Sequence, residues 1–203
     1  MSAAERALSF FGRALARCFY RVTTLGLENL PQGGFLLLPN HISWVDAIVL
    51  QLACPRPIRY VIDQGYYHKP ILHWFLHALG CIPINARHSH PAVRAATEKI
   101  AAGEIVCVFP EGRLERTGTL LRLHRGYELI ARHANALVVP TWLDQLWGSI
   151  FSFQGGKFFR KWPKRIPYPV TIAFGKPFEA DAADIATMRK ELLKLGEFCF
   201  GRR

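Results

Sequence analysis

The sequence predicts one α/β domain, a single layered unit with a mainly parallel central sheet flanked by helices, preceded by an amphipathic N-terminal helix. Three observations predict it. The chain has 203 residues, enough for one sizeable core and cramped for two. Short apolar runs of strand length alternate with longer amphipathic stretches, the order that builds parallel sheets. Two polar motifs stand directly after strand-like runs, where open α/β sheets present their ligand sites. The expected division is residues 1–22 for the N-terminal helix and 23–203 for the layered domain.

The first element, a helix over residues 3–22, rests on its charge pattern. At about 100° per residue, Arg6, Arg13, Arg17 and Arg21 fall within an arc of about 80°. Leu8, Phe11, Leu15, Cys18, Phe19 and Val22 gather on the other side. Two readings fit: a helix lying at an anionic bilayer surface, with Arg13 and Arg17 on the headgroups, or one packed on its own domain with arginines in solvent. Beyond Pro31 a strand is expected over Phe35–Leu38 and a helix over Ser43–Cys54, with Ser43 as N-cap. A strand over Ile58–Ile62 precedes a helix over Lys69–Leu79, and a brief strand over Ile82–Ile84 precedes a helix over Pro91–Ala101, whose proline suits a first turn. Ile105–Phe109 is the next strand, Gly126–His133 a helix and Leu137–Trp142 a strand. A loop rich in glycine, aromatics and bases leads to the strand Val170–Phe174 and a final helix from Asp184 to Phe198.

Composition narrows the function classes. Half the residues are hydrophobic and a fifth charged, which is globular and excludes a disordered chain. The net charge of +11 points to a polyanionic partner: nucleic acid, an anionic membrane or phosphate-bearing substrates. Cys18, Cys54, Cys81, Cys107 and Cys199 are odd in number and never spaced as CxxC, so free thiols in a reducing compartment are expected over disulfides or zinc. No apolar run reaches the roughly 20 residues of a spanning helix. A protein at the cytoplasmic face of a membrane, peripheral to it, is expected.

The first motif, PNHISWVD, sets His41 in a helix-entry loop and Asp46 in the opening turns of that helix. A carboxylate bonded to one imidazole nitrogen fixes the tautomer and leaves the other as a general base. With no separate nucleophile in the pair, the base is read as activating a substrate hydroxyl directly. The second motif, FPEGRLERTG, follows the strand IVCVF. Gly112 permits close backbone approach, and Arg113 and Arg116 offer planar forks for a phosphate.

Together, in this order and with Glu111 70 residues after His41, the motifs resemble the glycerolipid acyltransferase family typified by bacterial lysophosphatidate acyltransferase. The family's first block, NHxSxxD, matches NHISWVD at every specified position. Its third block, FPEG followed by threonine and arginine, matches FPEG and then departs: Arg113 stands at the threonine, Leu114 at the arginine, and Arg116 at the next basic position. The second block is similar to GCIPINAR, with Arg87 about one residue late, and the fourth to LVVP, at Val139 and Pro140. FPEGR and the stretch 144–170 look closest to the acyltransferase part of bifunctional proteins that carry an acyl-carrier-protein synthetase.

The resemblance implies O-acyl transfer from an acyl thioester, either acyl-CoA or acyl-acyl-carrier-protein, to a lysophospholipid. The acceptor it implies first is 1-acyl-glycerol-3-phosphate, giving phosphatidic acid; lysophosphatidylethanolamine is the alternative. It assigns His41 as base and Asp46 as its orienter. Asn40, Ser43, Pro110, Glu111 and Gly112 are expected at the substrate, with Arg87, Arg113 or Arg116 on the phosphate, and backbone N–H groups near Ser43 at the oxyanion. No metal or further cofactor is implied. A different class, a non-catalytic basic module for membrane or nucleic acid, would explain the charge and leave the paired motifs as coincidence. Residues 157–165, KFFRKWPKR, interleave Phe158, Phe159 and Trp162 with bases including Arg160. With lipid chemistry indicated, they are expected at an anionic membrane surface, not on nucleic acid.

Overall fold

The computed structural model describes residues 16–69, 73–74, 76–77, 79–85, 87–147, 149, 152, 154 and 166–203. The strands among them are β1 (Tyr20–Leu25), β2 (Phe35–Pro39), β3 (Ile58–Asp63), β4 (Ile82–Ile84), β5 (Ile105–Cys107), β6 (Val138–Asp144) and β7 (Tyr168–Phe174). The helices are α1 (Asp46–Ala53), α2 (Gln64–Tyr67), α3 (His90–Ala101), α4 (Gly126–Ala134) and α5 (Ile185–Phe200), with short helical pieces at 16–19, 73–74 and 76–77. The strands form one sheet in the order β1-β7-β6-β2-β5-β3-β4. Every neighbouring pair is parallel except β6 with β7. The expected α/β class with a mainly parallel sheet is therefore the observed one.

The sheet is parallel because its central strands are apolar on both faces. In β2, Phe35 and Leu37 pack into one core with Val49 and Leu50 of α1. Leu36 and Leu38 point into a second core with Ala96 of α3, Ile130 of α4 and Leu192 of α5. Five parallel strands thus deliver the carboxyl ends of β2 to β6 to one edge, and the reversed β7 with its partner β1 starts at that same edge. This edge carries the site.

Several boundaries differ from expectation for identifiable reasons. Residues 1–15, Arg13 included, lie outside the described residues. The helical piece ends at Phe19, and Arg21 and Val22 belong to β1, not to a helix. The β-branched run Val22-Thr23-Thr24 favours extended backbone, and β7 supplies a parallel partner from Tyr20↔Tyr168 to Leu25↔Ala173. Helix α1 begins at Asp46 with Val45 at its N-cap, not Ser43, because the Asp46 carboxylate folds back on residues 42 and 43 and holds them in a turn. Helix α2 starts just after β3, capped by Asp63 Oδ1, which accepts from Gly65 N at 2.9 Å. Of the expected Lys69–Leu79 helix, His73, Trp74, Leu76 and His77 are helical. Cys54, Cys81, Cys107 and Cys199 are buried free thiols, and Cys18 is exposed.

Two adjacent glycines entering β2 differ sharply in their surroundings. A Cβ on Gly34 would stand 1.9 Å from Ile100 O at the end of α3, whereas one on Gly33 would meet nothing within 4 Å. Gly34→Ala must push backbone apart, and we expect it to cost about 1–3 kcal/mol; Gly33→Ala is expected to stay within about 0.5 kcal/mol of wild type. Chemical denaturation of the two variants side by side checks this. In the second core the Tyr127 hydroxyl is buried without a partner among the described residues. Such an orphan is costly, so Tyr127→Phe is expected to unfold at the same or higher temperature by calorimetry.

Candidate active site

The site is built where β2 ends. Asn40 extends β2 and pairs with β6: its Oδ1 accepts from Leu143 N at 2.7 Å and its Nδ2 donates to Leu143 O at 3.2 Å. Both amide atoms are engaged and the residue is buried, so Asn40 locks two strands together.

His41 then turns into a compact polar knot. Its Nδ1 lies 2.8 Å from Asp46 Oδ2. That same oxygen accepts from Ile42 N at 2.6 Å and Ser43 N at 2.9 Å, while Oδ1 accepts from Ser43 Oγ at 2.6 Å. With three donors other than the imidazole, the fully buried carboxylate is compensated without a cation, as a buried anion must be. Ser43 therefore braces Asp46. The N–H groups of Ile42 and Ser43 are likewise committed to Asp46, so the expected oxyanion role of the Ser43 region falls away for these two. The His41 ring stacks on Phe109 with centroids 4.0 Å apart and an interplanar angle of 23°. Phe109 in turn faces Tyr60, whose hydroxyl donates to Ala47 O at 2.6 Å. The ring is fixed on one nitrogen and one face, and its side chain remains 21% exposed. Among the described residues Nε2 has no hydrogen-bond partner.

The second motif grips the backbone of the first. Glu111 Oε1 accepts from His41 N at 2.7 Å, and Glu111 Oε2 accepts from Leu121 N at 2.8 Å. Glu115 N donates back to His41 O at 3.0 Å. Both peptide groups of His41 are thus held by one loop. Glu111 is buried, and burial raises its carboxyl above the ordinary range, opposed by the N–H groups of Leu121 and His41. Expected at the substrate, Glu111 is a clamp whose two oxygens are already bonded. Pro110 is buried, and its carbonyl accepts from His124 N at 2.8 Å. Gly112 has φ 66°, where a side chain is strained, and a Cβ there would come within 3.2 Å of the His124 ring.

Arg113 and Arg116 are exposed on this loop. Arg87 is exposed just beyond β4, three strand positions from β2, about 14 Å at the usual strand spacing. The fold brings His41, Asp46, Glu111 and the Gly112–Arg116 loop together and leaves Arg87 at the far side. Phe158, Phe159, Arg160 and Trp162 lie outside the described residues. Arg17 is exposed ahead of β1.

Sequence reasoning missed Glu115, Arg122 and Arg125. Glu115 is buried, and its Oε2 gathers Thr117 N at 2.7 Å, Gly118 N at 2.6 Å and Thr119 N at 3.3 Å. The usable signal was ERTGT, an acid two to four residues ahead of a glycine turn that needs its N–H groups satisfied. Arg122 and Arg125 are exposed at the end of that loop, which Glu111 draws toward His41 through Leu121. Nothing local in the sequence marks that approach.

The chain is similar to several known proteins. A solved structure, the 1-acyl-sn-glycerophosphate (LPA) acyltransferase PlsC from Thermotoga maritima, superposes with a TM-score of 0.68 at 21% identity, over 94% of this chain and 76% of that one. It shares the fold. A chloroplastic 1-acyl-sn-glycerol-3-phosphate acyltransferase of Arabidopsis thaliana is 28% identical over 127 residues, 60% of this chain and 35% of its own length. A 1-acyl-sn-glycerol-3-phosphate acyltransferase of Pseudomonas aeruginosa is 26% identical over 166 residues, 79% of this chain and 58% of its own length. The chain spans about a third of the first relative's length and under two thirds of the second's. Residues 21–144, running from β1 to the end of β6 and enclosing both motifs, match the family described as Acyltransferase; the chain belongs to that family.

Proposed function

We propose that the chain transfers an acyl group from a thioester to the free glycerol hydroxyl of a lysophospholipid, with 1-acyl-glycerol-3-phosphate the first acceptor and phosphatidic acid its product. The observation that carries this is the His41–Asp46 pair at 2.8 Å, with imidazole Nε2 unbonded among the described residues at the carboxyl edge of the sheet. The names of the relatives support the acceptor. The departure at Arg113–Leu114 keeps lysophosphatidylethanolamine as the second acceptor to assay.

His41 Nε2 takes the proton as the hydroxyl oxygen attacks the thioester carbonyl. Asp46, bonded at Nδ1, stabilises the imidazolium that forms. The tetrahedral intermediate collapses, the C–S bond breaks, and the departing thiolate takes the proton back from Nε2. Ester and free thiol result, with no covalent enzyme intermediate and no net proton change. The thiol is that of coenzyme A or of acyl carrier protein. No helix among the described residues is long and apolar enough to cross a membrane, and we place the protein peripherally at the cytoplasmic face, where its lipid acceptor lies.

His41→Ala removes the base while leaving Asp46 its backbone partners. Turnover of a radiolabelled acyl thioester with 1-acyl-glycerol-3-phosphate is expected to fall about 10²–10⁴-fold, with the unfolding temperature nearly unchanged. Retained turnover would refute the assigned base. Product appearing as free fatty acid, not as diacyl lipid, would make water the acceptor.

Glu111 supplies a pH test of the clamp. Its carboxyl is raised by burial, so its favourable contribution is fullest below the ordinary carboxylate range and is lost as pH rises through the raised value. Glu111→Gln cannot accept from both His41 N and Leu121 N and should cost about 1–3 kcal/mol. Because the amide does not titrate, the deficit against wild type is expected to be largest near about pH 4 and to shrink toward neutrality. Urea titrations across that range measure it.

A further inference from the structure

We infer, on the reading of His41 as the base, that Tyr60 is a positioning residue for the His41–Asp46 pair, although it belongs to neither motif. It acts on His41 through the Phe109 ring and on Asp46 through the first turn of α1. The Tyr60 ring lies nearly parallel to that of Phe109, with centroids 6.4 Å apart and an interplanar angle of 11°, an offset arrangement that aromatic pairs favour. Phe109 in turn stacks on the His41 imidazole at 4.0 Å. The Tyr60 hydroxyl donates to Ala47 O at 2.6 Å, one residue beyond Asp46.

Three adjacent strands supply the three rings, in the sheet order β2-β5-β3. Leu37, Cys107 and Tyr60 stand level in register and share one core, against which Phe109 packs two residues beyond Cys107. The Phe109 ring therefore stands between His41, beyond the end of β2, and Tyr60 in β3. Packing alone does not call for a tyrosine at position 60. The residue is 4% exposed, and phenylalanine would fill the core there with no hydroxyl to desolvate. Burying that group costs free energy that a partner must offset. The partner it has is the helix that carries Asp46.

The aim of the imidazole needs both supports. Rotation about the histidine Cβ–Cγ bond has broad wells, and a single hydrogen bond at Nδ1 tolerates about 30° of misalignment. The stacked face of Phe109 fixes the ring plane, and Tyr60 limits how far Phe109 can tilt. The hydroxyl bond to Ala47 holds the opening of α1, and with it the Asp46 carboxylate, at a set distance from the same strand. Nε2 thus stays directed at the opening while the proton moves onto it and off again. Displacement by about 1 Å at such a site costs up to about 10²-fold in rate.

The test compares Tyr60→Phe, which keeps the ring and loses the hydroxyl, with Tyr60→Leu, which loses both. Phe35→Leu, in the same core at the start of β2, is the control for lost packing. With 1-acyl-glycerol-3-phosphate and either thioester donor, kcat is expected to fall about threefold in Tyr60→Phe and about tenfold in Tyr60→Leu, with KM unchanged. Phe35→Leu is expected to lower the unfolding temperature and keep kcat. In isotope-edited NMR spectra of the full chain labelled at histidine, exchange of the His41 Nδ1 proton with water should quicken in the order wild type, Tyr60→Phe, Tyr60→Leu, and not in Phe35→Leu. Wild-type kcat in Tyr60→Phe, or an equal loss of kcat in Phe35→Leu and Tyr60→Leu, overturns the assignment and leaves Tyr60 a core residue. Unchanged proton exchange in the Tyr60 variants overturns it as well. Should Tyr60→Leu fail to fold, Tyr60→Phe decides. Proton exchange needs no chemistry: if its order holds and wild type uses neither donor, the positioning of His41 by Tyr60 stands and the acyl-transfer reading fails.

Discussion

The carboxylate of Asp46 is the constraint on which the site depends. Its two oxygens collect Ile42 N, Ser43 N, Ser43 Oγ and His41 Nδ1 within five residues of chain. That set forces the strand-to-helix junction into one conformation, delays the start of α1 to Asp46 and aims the imidazole. The His41–Asp46 pair and the turn that presents it are one hydrogen-bonded object. A shorter or uncharged side chain at position 46 could not serve all four donors, because an amide offers only one accepting oxygen.

Rigidity at His41 is then extended outward by the loop after β5. Glu111 and Glu115 bind the two peptide groups of His41, and Phe109 stacks on its ring. The parallel order β6-β2-β5-β3 makes this possible, since it sets the carboxyl ends of β2 and β5 side by side. Asn40 performs the matching task toward β6. The polar residues of the first motif therefore divide their labour: one histidine faces the opening, and Asn40, Ser43 and Asp46 hold it there.

The layered fold and the His41–Asp46 contact were legible in the sequence because both rest on short-range regularities. The apolar strands Phe35–Leu38 and Ile105–Cys107 read as buried runs, and the five-residue span from His41 to Asp46 is bridged within one turn. The roles of Asn40 and Glu111 were not legible. Their partners, Leu143 and Leu121, lie 103 and 10 residues away, and a polar residue in a motif looks the same whether it meets ligand or backbone. Strand β1 escaped because a helical arc of arginines continued into it, and its partner β7 comes at the other end of the domain. Helix α2 was missed because it is a single turn, stabilised by one Asp63 cap, too short to show a period.

Burial also changes the meaning of charge at the site. In sequence, residues 109–125 look only mildly basic, with Glu111 and Glu115 against Arg113, Arg116, Arg122 and Arg125. In the fold both acids are buried and the four arginines are exposed. The buried acidic side chains among the described residues, Asp46, Glu111, Glu115 and Asp144, all stand at this one edge. Asp46 and Glu111 have both oxygens bonded, largely by backbone N–H groups, and Glu115 is held by backbone N–H groups through Oε2, its Oε1 having no hydrogen-bond partner among the described residues. Carboxylates thus organise the turns from beneath while the outward surface of the loop stays cationic. An anion arriving at the sheet edge meets guanidinium groups first, and field lines from them concentrate in the opening above the imidazole.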